Sequence, residues 1–375
     1  MNRQEGFPRV VERPKDVVVV GGGQAALALG FYLRRTGLDY VILDEQPSAG
    51  GAWERGWASL RAFSPAQWSS LPGWLMPPSV HGNEYPSRND VLRYLSEYES
   101  RYALNIERNV RATSVERDSS SESHPLRVKT ISGDWLVRAV ISATGGEPFI
   151  PDVPGRDDFQ GIQLHSQEYS SPEAFTGKRI VVVGGGNSGA QIMAELTKPD
   201  SRVCNVTWAT LKPPTFLPDD IDGRYLFEQA TARYKAQKEG RTPDPPRSLG
   251  DVVMVPPVKA ARDRGSMVAV RMFERLDRSG VTWPDGRHTD EDVIIWATGF
   301  RPALGHLKNL QVIDSDGRVA VSGVAGTRSL AEPRLWMVGY GNWTGYASAT
   351  LIGVGRSARA TVQEVQDALK VENGG

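Results

Sequence analysis

One device occurs twice in this chain: a short β-branched run that ends in three glycines and continues into a helix-forming stretch. The first copy is DVVVVGGGQAALALG (residues 16–30) and the second is RIVVVGGGNSGAQIMAEL (residues 179–196). Val17–Val20 and Ile180–Val183 are the kind of run that forms a strand buried on both faces of a parallel sheet. Gly21, Gly23 and Ala26 then supply a G-x-G-x-x-A turn, and Gly184, Gly186 and Gly189 the full G-x-G-x-x-G. The first glycine permits the tight turn, the second lets the backbone approach a pyrophosphate, and the small third residue lets helix and strand pack closely. Ala25–Leu33 and Ala190–Leu196 continue at helical spacing, and Gln24, Ala25, Asn187 and Ser188 are counted as cofactor-binding residues where a helix N-terminus faces the phosphate charge. The fold class expected is α/β, with two dinucleotide-binding, Rossmann-like domains and two dinucleotides, since each crevice takes one.

The strand after each turn bears on which dinucleotide the turn takes. After the first, a strand Tyr40–Leu43 ends at Asp44 and Glu45, at the spacing where a carboxylate holds ribose hydroxyls. After the second, a strand expected near Val203–Trp208 leads through Thr207 to Thr210 and Lys212 with no carboxylate. A ribose-binding acid would repel a 2′-phosphate, whereas hydroxyls and a cation accept one, which favours NADPH over NADH. Lys212 reads equally well as a solvated strand-end lysine.

Composition narrows the class from the other side. Lys plus Arg and Asp plus Glu both total 44, so no net field draws nucleic acid or an anionic membrane. The most hydrophobic stretch, Val17–Leu33, is interrupted by Gly21, Gly22, Gly23 and Gln24, and no membrane span is expected. The N-terminus, MNRQEGFPRVVERPK, has no apolar h-region, and the chain is expected in the cytoplasm. A single cysteine, Cys204, expected inside a strand, forbids an intrachain disulfide or a CxxC pair. No metal site is expected.

Several stretches together carry a resemblance to a known family. Gly50, Gly51 and Trp53 form a GGxW element like that in the FAD-binding half of two-dinucleotide flavoproteins. FQGIQLHSQEY, residues 159–169, places Phe159, Gly161, His165 and Tyr169 just ahead of the second glycine turn. This F-x-G-x-x-x-H-x-x-x-Y pattern resembles the fingerprint of the flavin-containing monooxygenases. Ala143-Thr144-Gly145 and Ala297-Thr298-Gly299-Phe300 look like the paired elements where such chains pass between the FAD and NADPH domains. LWMVGYGNWTG, residues 335–345, resembles the return to the flavin ribityl chain, with Asn342 where relatives carry Asp. A helix Ser348–Ala368 would then point its N-terminus at the flavin. LRAFSPAQWSSLPGW (60–74), EYPSRNDVLRYL (84–95), FLPDDIDGR (216–224) and ATLIGVGRSARATV (349–362) look like the compact monooxygenases of arsenic-resistance operons, the ArsO type.

The resemblance implies an NADPH domain, residues 166–294, inserted in a discontinuous FAD domain, residues 1–165 and 295–375. It implies reduction of FAD by NADPH, addition of O₂ to give a flavin C4a-hydroperoxide, and transfer of oxygen to a small soft nucleophile. The Baeyer–Villiger branch ends the fingerprint in Trp-Pro; Tyr169-Ser170 favours oxidation of a heteroatom. Where relatives place an Asn in an N-x-P element beside the flavin, this chain has Phe63-Ser64-Pro65, so Ser64 or Gln67 would supply the hydrogen bond. His165 is counted with them as a residue that links the domains and positions cofactor. Trp68 and Trp74 read as an apolar wall or as core. One cysteine cannot build the thiolate cage of a tight arsenite site, so a trivalent arsenical would bind as a neutral substrate. Residues 213–257, with a helical pattern over 224–238, read as a lid, a channel wall or the arm of a homodimer. An NADPH-dependent reductase or oxidase that oxygenates nothing, and a non-enzymatic cofactor-binding regulator, are the alternatives.

Overall fold

A computed structural model of the chain describes residues 12–79, 85–219, 221, 225, 227, 228, 232, 236, 239–242, 251–323 and 325–372. Most of the expected helix over 224–238 lies outside them.

The two apolar runs are the central strands of two separate sheets. In the first sheet, β1 (Glu12–Val20) lies between β2 (Tyr40–Leu43) and β6 (Gly133–Ser142), parallel to both. β3 (Ile106–Glu107) extends it beyond β2. A meander of β4 (Ala112–Arg117) and β5 (Leu126–Thr130) joins it at β6. On the other side β6 pairs with β19 (Leu335–Met337), and β18 (Arg328–Ser329) and β17 (Val321–Ser322) complete the edge. This sheet therefore takes strands from both ends of the chain. Val17, Val18 and Val19 have no solvent exposure, as a two-sided β-branched strand requires. Helix α1 (Gln24–Leu33) packs on one face with the C-terminal helix Leu351–Glu372, around Leu27, Phe31, Val354 and Ala358. Helix α2 (Arg88–Tyr102) joins the same core through Val91, Tyr94 and Tyr98. The C-terminal helix begins three residues later than its pattern suggested. Thr350 starts it, its hydroxyl accepting the Gly353 N–H at 3.1 Å.

The second sheet comes from the middle of the chain. Its strands run β11 (Ala269–Arg271), β10 (Asn205–Thr210), β9 (Arg179–Val183), β15 (Val293–Trp296), β8 (Ile162–His165), all parallel. β8 lies wholly within the segment expected in the first domain, up to 165, and β15 runs across the boundary expected before 295. Both nevertheless pair here, so the second unit takes in residues on the far side of both expected boundaries. The strand expected at Val203–Trp208 is displaced by two residues, because Asn205 is the first to find a partner, Arg179. Cys204 consequently precedes the strand and is exposed. Helix α3 (Asn187–Leu196) packs under this sheet with the short helix Pro256–Asp263. A hairpin of β12 (Arg275–Leu276), β13 (Gly280–Thr282) and β14 (His288–Asp290) closes the other face through Phe273 and Trp283.

The chain crosses between the two units twice, and the crossings pair. β7 (Gly146–Pro148) and β16 (Phe300–Pro302) form an antiparallel ribbon directly after the two Ala-Thr-Gly elements. The Arg301 guanidinium stacks 3.7 Å over the Phe149 ring beside it. One segment breaks the correspondence between chain and unit: Trp57, Leu60 and Phe63, from the first half, pack into the core of the second. Among the described residues no helix is long and apolar enough to cross a membrane.

Candidate active site

The two glycine turns are built alike, down to individual hydrogen bonds. Gly21 N–H donates to Leu43 O at 2.8 Å, and Gly184 N–H to Ala209 O at 2.9 Å, so each turn is held by the end of its neighbouring strand. The alanines of the Ala-Thr-Gly elements close the opposite side, with Ala143 N–H donating to Val20 O (2.8 Å) and Ala297 N–H to Val183 O (2.7 Å). Gly21 has φ +105° and Gly184 φ +127°, and a Cβ on either would stand 2.5 Å or 2.2 Å from the Ala143 or Ala297 carbonyl oxygen. These glycines are demanded by the protein itself. At the third position Gly189 lies against Gly184 O, where a Cβ would come within 2.2 Å, whereas Ala26 is tolerated in the first turn and fully buried.

The middle glycines behave differently. A Cβ on Gly186 would meet no protein atom within 4 Å, and one on Gly23 only the Gly51 Cα at 3.9 Å. Their bareness therefore serves something outside the polypeptide. Both are helix N-caps without a side-chain cap, and neither helix has an acidic residue in its first turn. Free N–H groups and an unopposed positive helix end are what a pyrophosphate requires. The residues present fit a dinucleotide at each turn.

Around the first turn, the expected elements converge. Gln24 donates to Ala349 O at 2.6 Å, and its amide oxygen accepts Trp53 Nε1–H at 3.3 Å. One side chain thus ties the GGxW element to the start of the C-terminal helix. Gly51 presses on Gly23 so closely that its own Cβ would lie 2.8 Å from the Gly23 Cα. Ala25 is buried, 2.7 Å from where a Gly339 Cβ would fall, which seats the 339–341 loop on the helix start. Asn342 comes next, in a 3-10 turn, and is exposed.

The two acids after β2 separate in role. Asp44 is only 3 % exposed, accepts Gln46 N–H at 3.1 Å and pairs with Arg108. Burial raises its pKa against the pull of that amide and guanidinium. Asp44 also lies under the turn: a Cβ on Gly22 would sit 2.1 Å from its Oδ2. Glu45 points outward, 3.5 Å from Arg55 and 3.6 Å from Arg111. Arg108 bridges Asp44 to the largely buried Glu99 and donates to Ser48 O at 3.0 Å. Nothing in the sequence marked it, because β3 before it is too short to show a period.

At the junction, Thr144 Oγ1 donates to Ala303 O at 2.7 Å and meets the Tyr340 hydroxyl at 2.7 Å. Tyr340 also accepts the Thr144 N–H at 3.2 Å and contacts Ser142 Oγ at 2.5 Å. Ser142 continues to His306 Nε2 at 3.0 Å. Burial lowers the His306 pKa to about 4, so the ring is neutral. Gly145 has φ +68°, where its peptide turns into the ribbon. On the other crossing Thr298 donates to Phe149 O, and Gly299 O accepts both Phe149 N–H (3.0 Å) and His165 Nε2–H (2.9 Å).

His165 was expected among the catalytic residues; its geometry is that of a brace. It has no solvent exposure, its Nδ1 accepts Gln167 N–H at 3.2 Å, and its ring lies edge-on to Phe300 at 5.0 Å. Both nitrogens are used, and burial lowers its pKa. Ser64 is likewise occupied. It is buried, 2.8 Å from Ser69 Oγ within its own turn, while Gln67 beside it is exposed. Trp74 lies tilted against Tyr94 at 5.0 Å, packed on the first core.

Around the second turn, Thr210 is buried at the end of β10, with its methyl 3.4 Å from a Gly185 Cβ position, and Lys212 is exposed beyond it. Ser188 is half-buried in the first turn of α3. Asn187 turns away: its amide donates to Asp251 O (3.0 Å) and accepts Val253 N–H (2.8 Å). It fastens the 213–257 insert, whose ends bond to each other through Leu217 N–H to Val252 O (2.9 Å) and Val252 N–H to Thr215 O (2.8 Å).

Two glycine turns, each open at its middle glycine and joined at one braced crossing, define an oxidoreductase that works with two dinucleotides. Residues 18–213 match the family described as pyridine nucleotide-disulphide oxidoreductase. A flavin-containing monooxygenase from Stenotrophomonas maltophilia is 48 % identical, covering 95 % of this chain and 99 % of its own, with a TM-score of 0.84. The uncharacterized oxidoreductase CzcO of Bacillus subtilis is 29 % identical over 361 residues, 93 % of this chain and 99 % of that protein. The probable indole-3-pyruvate monooxygenase YUCCA1 of Arabidopsis thaliana is 29 % identical over 317 residues, 76 % of this chain and 75 % of that protein. The chain belongs to the pyridine nucleotide-disulphide oxidoreductase family and, within it, to the flavin-containing monooxygenases. It is a flavin-dependent enzyme of the monooxygenase type.

Proposed function

We propose that the first turn holds FAD, that the second holds NADPH in preference to NADH, and that the enzyme transfers one atom of O₂ to a small soft nucleophile. In this reading the first unit is the FAD domain and the second the NADPH domain, with the chain passing between them at the β7–β16 ribbon rather than after 165 and before 295. The observation that carries it is the pairing of two dinucleotide cradles across one crossing, in a chain with a single, exposed cysteine. A dithiol relay, the other use of such a pair, needs two cysteines in reach of one another. When bound, the flavin accepts a hydride from NADPH and, once reduced, activates O₂, so that substrate, NADPH, H⁺ and O₂ become oxygenated substrate, NADP⁺ and water.

The chain's own residues position and shield. Asp44 holds ribose hydroxyls under the first turn, with Arg108 keeping its carboxylate in place. Gln24 and Trp53 lock the turn to the C-terminal helix, whose N-terminus favours negative charge on the reduced ring. His165 and Tyr340 fix the two Ala-Thr-Gly crossings from opposite sides. Lys212, Thr210 and Ser188 receive the NADPH phosphates. Phe63 stands where relatives carry an amide and packs on the second core beside Phe227, so this position supplies no hydrogen bond to the flavin.

A neutral trivalent arsenical is the specific substrate we favour, on the likeness to the ArsO type, with sulfides and amines as the other soft nucleophiles. The enzyme would work in the cytoplasm. The test is O₂ uptake against NADPH with methylarsenite or a dialkyl sulfide present. Oxygenated product matching NADPH consumed supports the reading; stoichiometric H₂O₂ without product overturns it in favour of an oxidase. Oxygenation of the sulfide but not the arsenical removes the arsenical and keeps the class.

A further inference from the structure

Glu195 sits near the end of α3, the helix that begins at the second glycine turn, and is only 6 % exposed. No arginine, lysine or histidine lies within ion-pair distance of it among the described residues. Instead its carboxylate accepts the Tyr169 hydroxyl at 3.0 Å and the hydroxyl of Ser59. Tyr169 ends the fingerprint segment that runs on from β8 within the second unit; Ser59 belongs to the segment 57–63 of the first half. The Trp57 ring meets Tyr169 edge-on at 6.0 Å, and the Phe175 ring lies parallel to Tyr169 at 5.9 Å. A buried carboxylate held only by hydroxyls is a costly way to pack a helix end, since an alanine or leucine would avoid the desolvation. Its retention makes sense where direction matters, because two hydrogen bonds from different segments fix a helix axis as apolar contact does not.

We propose that Glu195, Tyr169 and Ser59 form a latch that sets the tilt of α3, and with it the second glycine turn, against the first unit. Glu195 is a positioning residue, acting through the helix: its position near the helix C-terminus lies about 12 Å along the axis from the turn it orients. This rests on the assignment of NADPH to the second turn. A hydride donor displaced by a fraction of an ångström loses rate far more than affinity, so the signature is a fall in reduction rate with binding intact.

The experiment uses the FAD-loaded full chain. Anaerobic bleaching of the flavin by saturating NADPH is timed for Ser59→Ala, Tyr169→Phe, Glu195→Ala and Glu195→Gln. Ser59→Ala, Tyr169→Phe and Glu195→Ala are expected to slow reduction by about three- to tenfold, with FAD content and the NADPH concentration for half-saturation within about twofold of the parent. Glu195→Gln is expected to keep the parental rate, because an amide can accept from Tyr169 and donate to Ser59. Hydrogen exchange of amides 57–63, read without NADPH, is expected to quicken in Glu195→Ala and to stay protected in Glu195→Gln. Unchanged reduction rates in Ser59→Ala and Tyr169→Phe overturn the latch, as does unchanged exchange in Glu195→Ala. Equal loss in Glu195→Gln and Glu195→Ala overturns it too, since charge would then be the operative property. Should NADPH fail to bleach the parent protein, the functional reading falls, and the exchange measurement still decides the latch.

Discussion

Gly184 lies so close beneath Ala297 that a Cβ on the glycine would stand 2.2 Å from the alanine carbonyl oxygen. The same approach joins Gly21 to Ala143 in the other unit, and the bareness of Gly186 has no such cause. This separates two kinds of substitution. Gly21→Ala and Gly184→Ala each combine a positive φ with a backbone clash and should cost about 2–3 kcal/mol or more. Gly186→Ala places a methyl in open space and should cost less than about 1 kcal/mol, yet weaken the dinucleotide at that turn. Thermal unfolding of the three variants checks the first part, and the NADPH concentration needed for flavin bleaching checks the second. A Gly186→Ala protein that melts early but binds NADPH normally would reverse the assignment.

His306 carries a pH dependence of stability. Its pKa in the fold is about 4 against 6.5 for the free side chain, through burial. A depressed folded value means that the unfolded chain binds the proton first. The contribution is therefore complete above about pH 6.5 and lost as pH falls toward 4, with an upper size of about 3 kcal/mol. His165 is shifted in the same direction by its own burial. The buried Asp44, Glu99 and Glu195 are shifted upward and act oppositely, at the acid end. Midpoint denaturant concentrations from pH 7 to pH 4.5 should fall, and His306→Gln should flatten that slope. An unaltered slope in the variant would place the titration elsewhere.

Arg108 neutralises two carboxylates, Asp44 beneath the first glycine turn and the largely buried Glu99 of α2. Arg108→Ala leaves both without their cation and should destabilise by about 3 kcal/mol. It should also lower FAD retention through Asp44. Arg108→Lys cannot reach both acids with a fork and should recover only part of the loss. Flavin absorbance per polypeptide after gel filtration is the measurement.

Lys212 and Thr210 decide the nicotinamide dinucleotide in the proposed reading. Lys212→Ala should lower kcat/KM for NADPH by about tenfold, the loss of one charge-assisted phosphate contact, and leave NADH unchanged. Equal effects on both, or none, would return Lys212 to the role of a solvated lysine.

Much of this molecule was legible before folding because its constraints are local. A β-branched run followed by glycines at fixed spacing specifies a strand, a turn and a helix start wherever it occurs, and both copies form as read. The GGxW element and the two Ala-Thr-Gly elements were also visible, since each is a short backbone requirement. Illegible were the partners supplied from far along the chain. Arg108 reaches Asp44 across 64 positions, Tyr340 reaches Thr144 across 196, and Ser59 reaches Glu195 across 136. Ser64 and His165 were singled out for chemistry, and only the folded chain shows that each hydroxyl or ring nitrogen already has a partner. The sequence by itself determined two dinucleotide cradles, because backbone conformation depends on neighbours in the chain. The tertiary structure alone decided which polar side chains are free to act, because that depends on what the fold brings within about 3 Å of them.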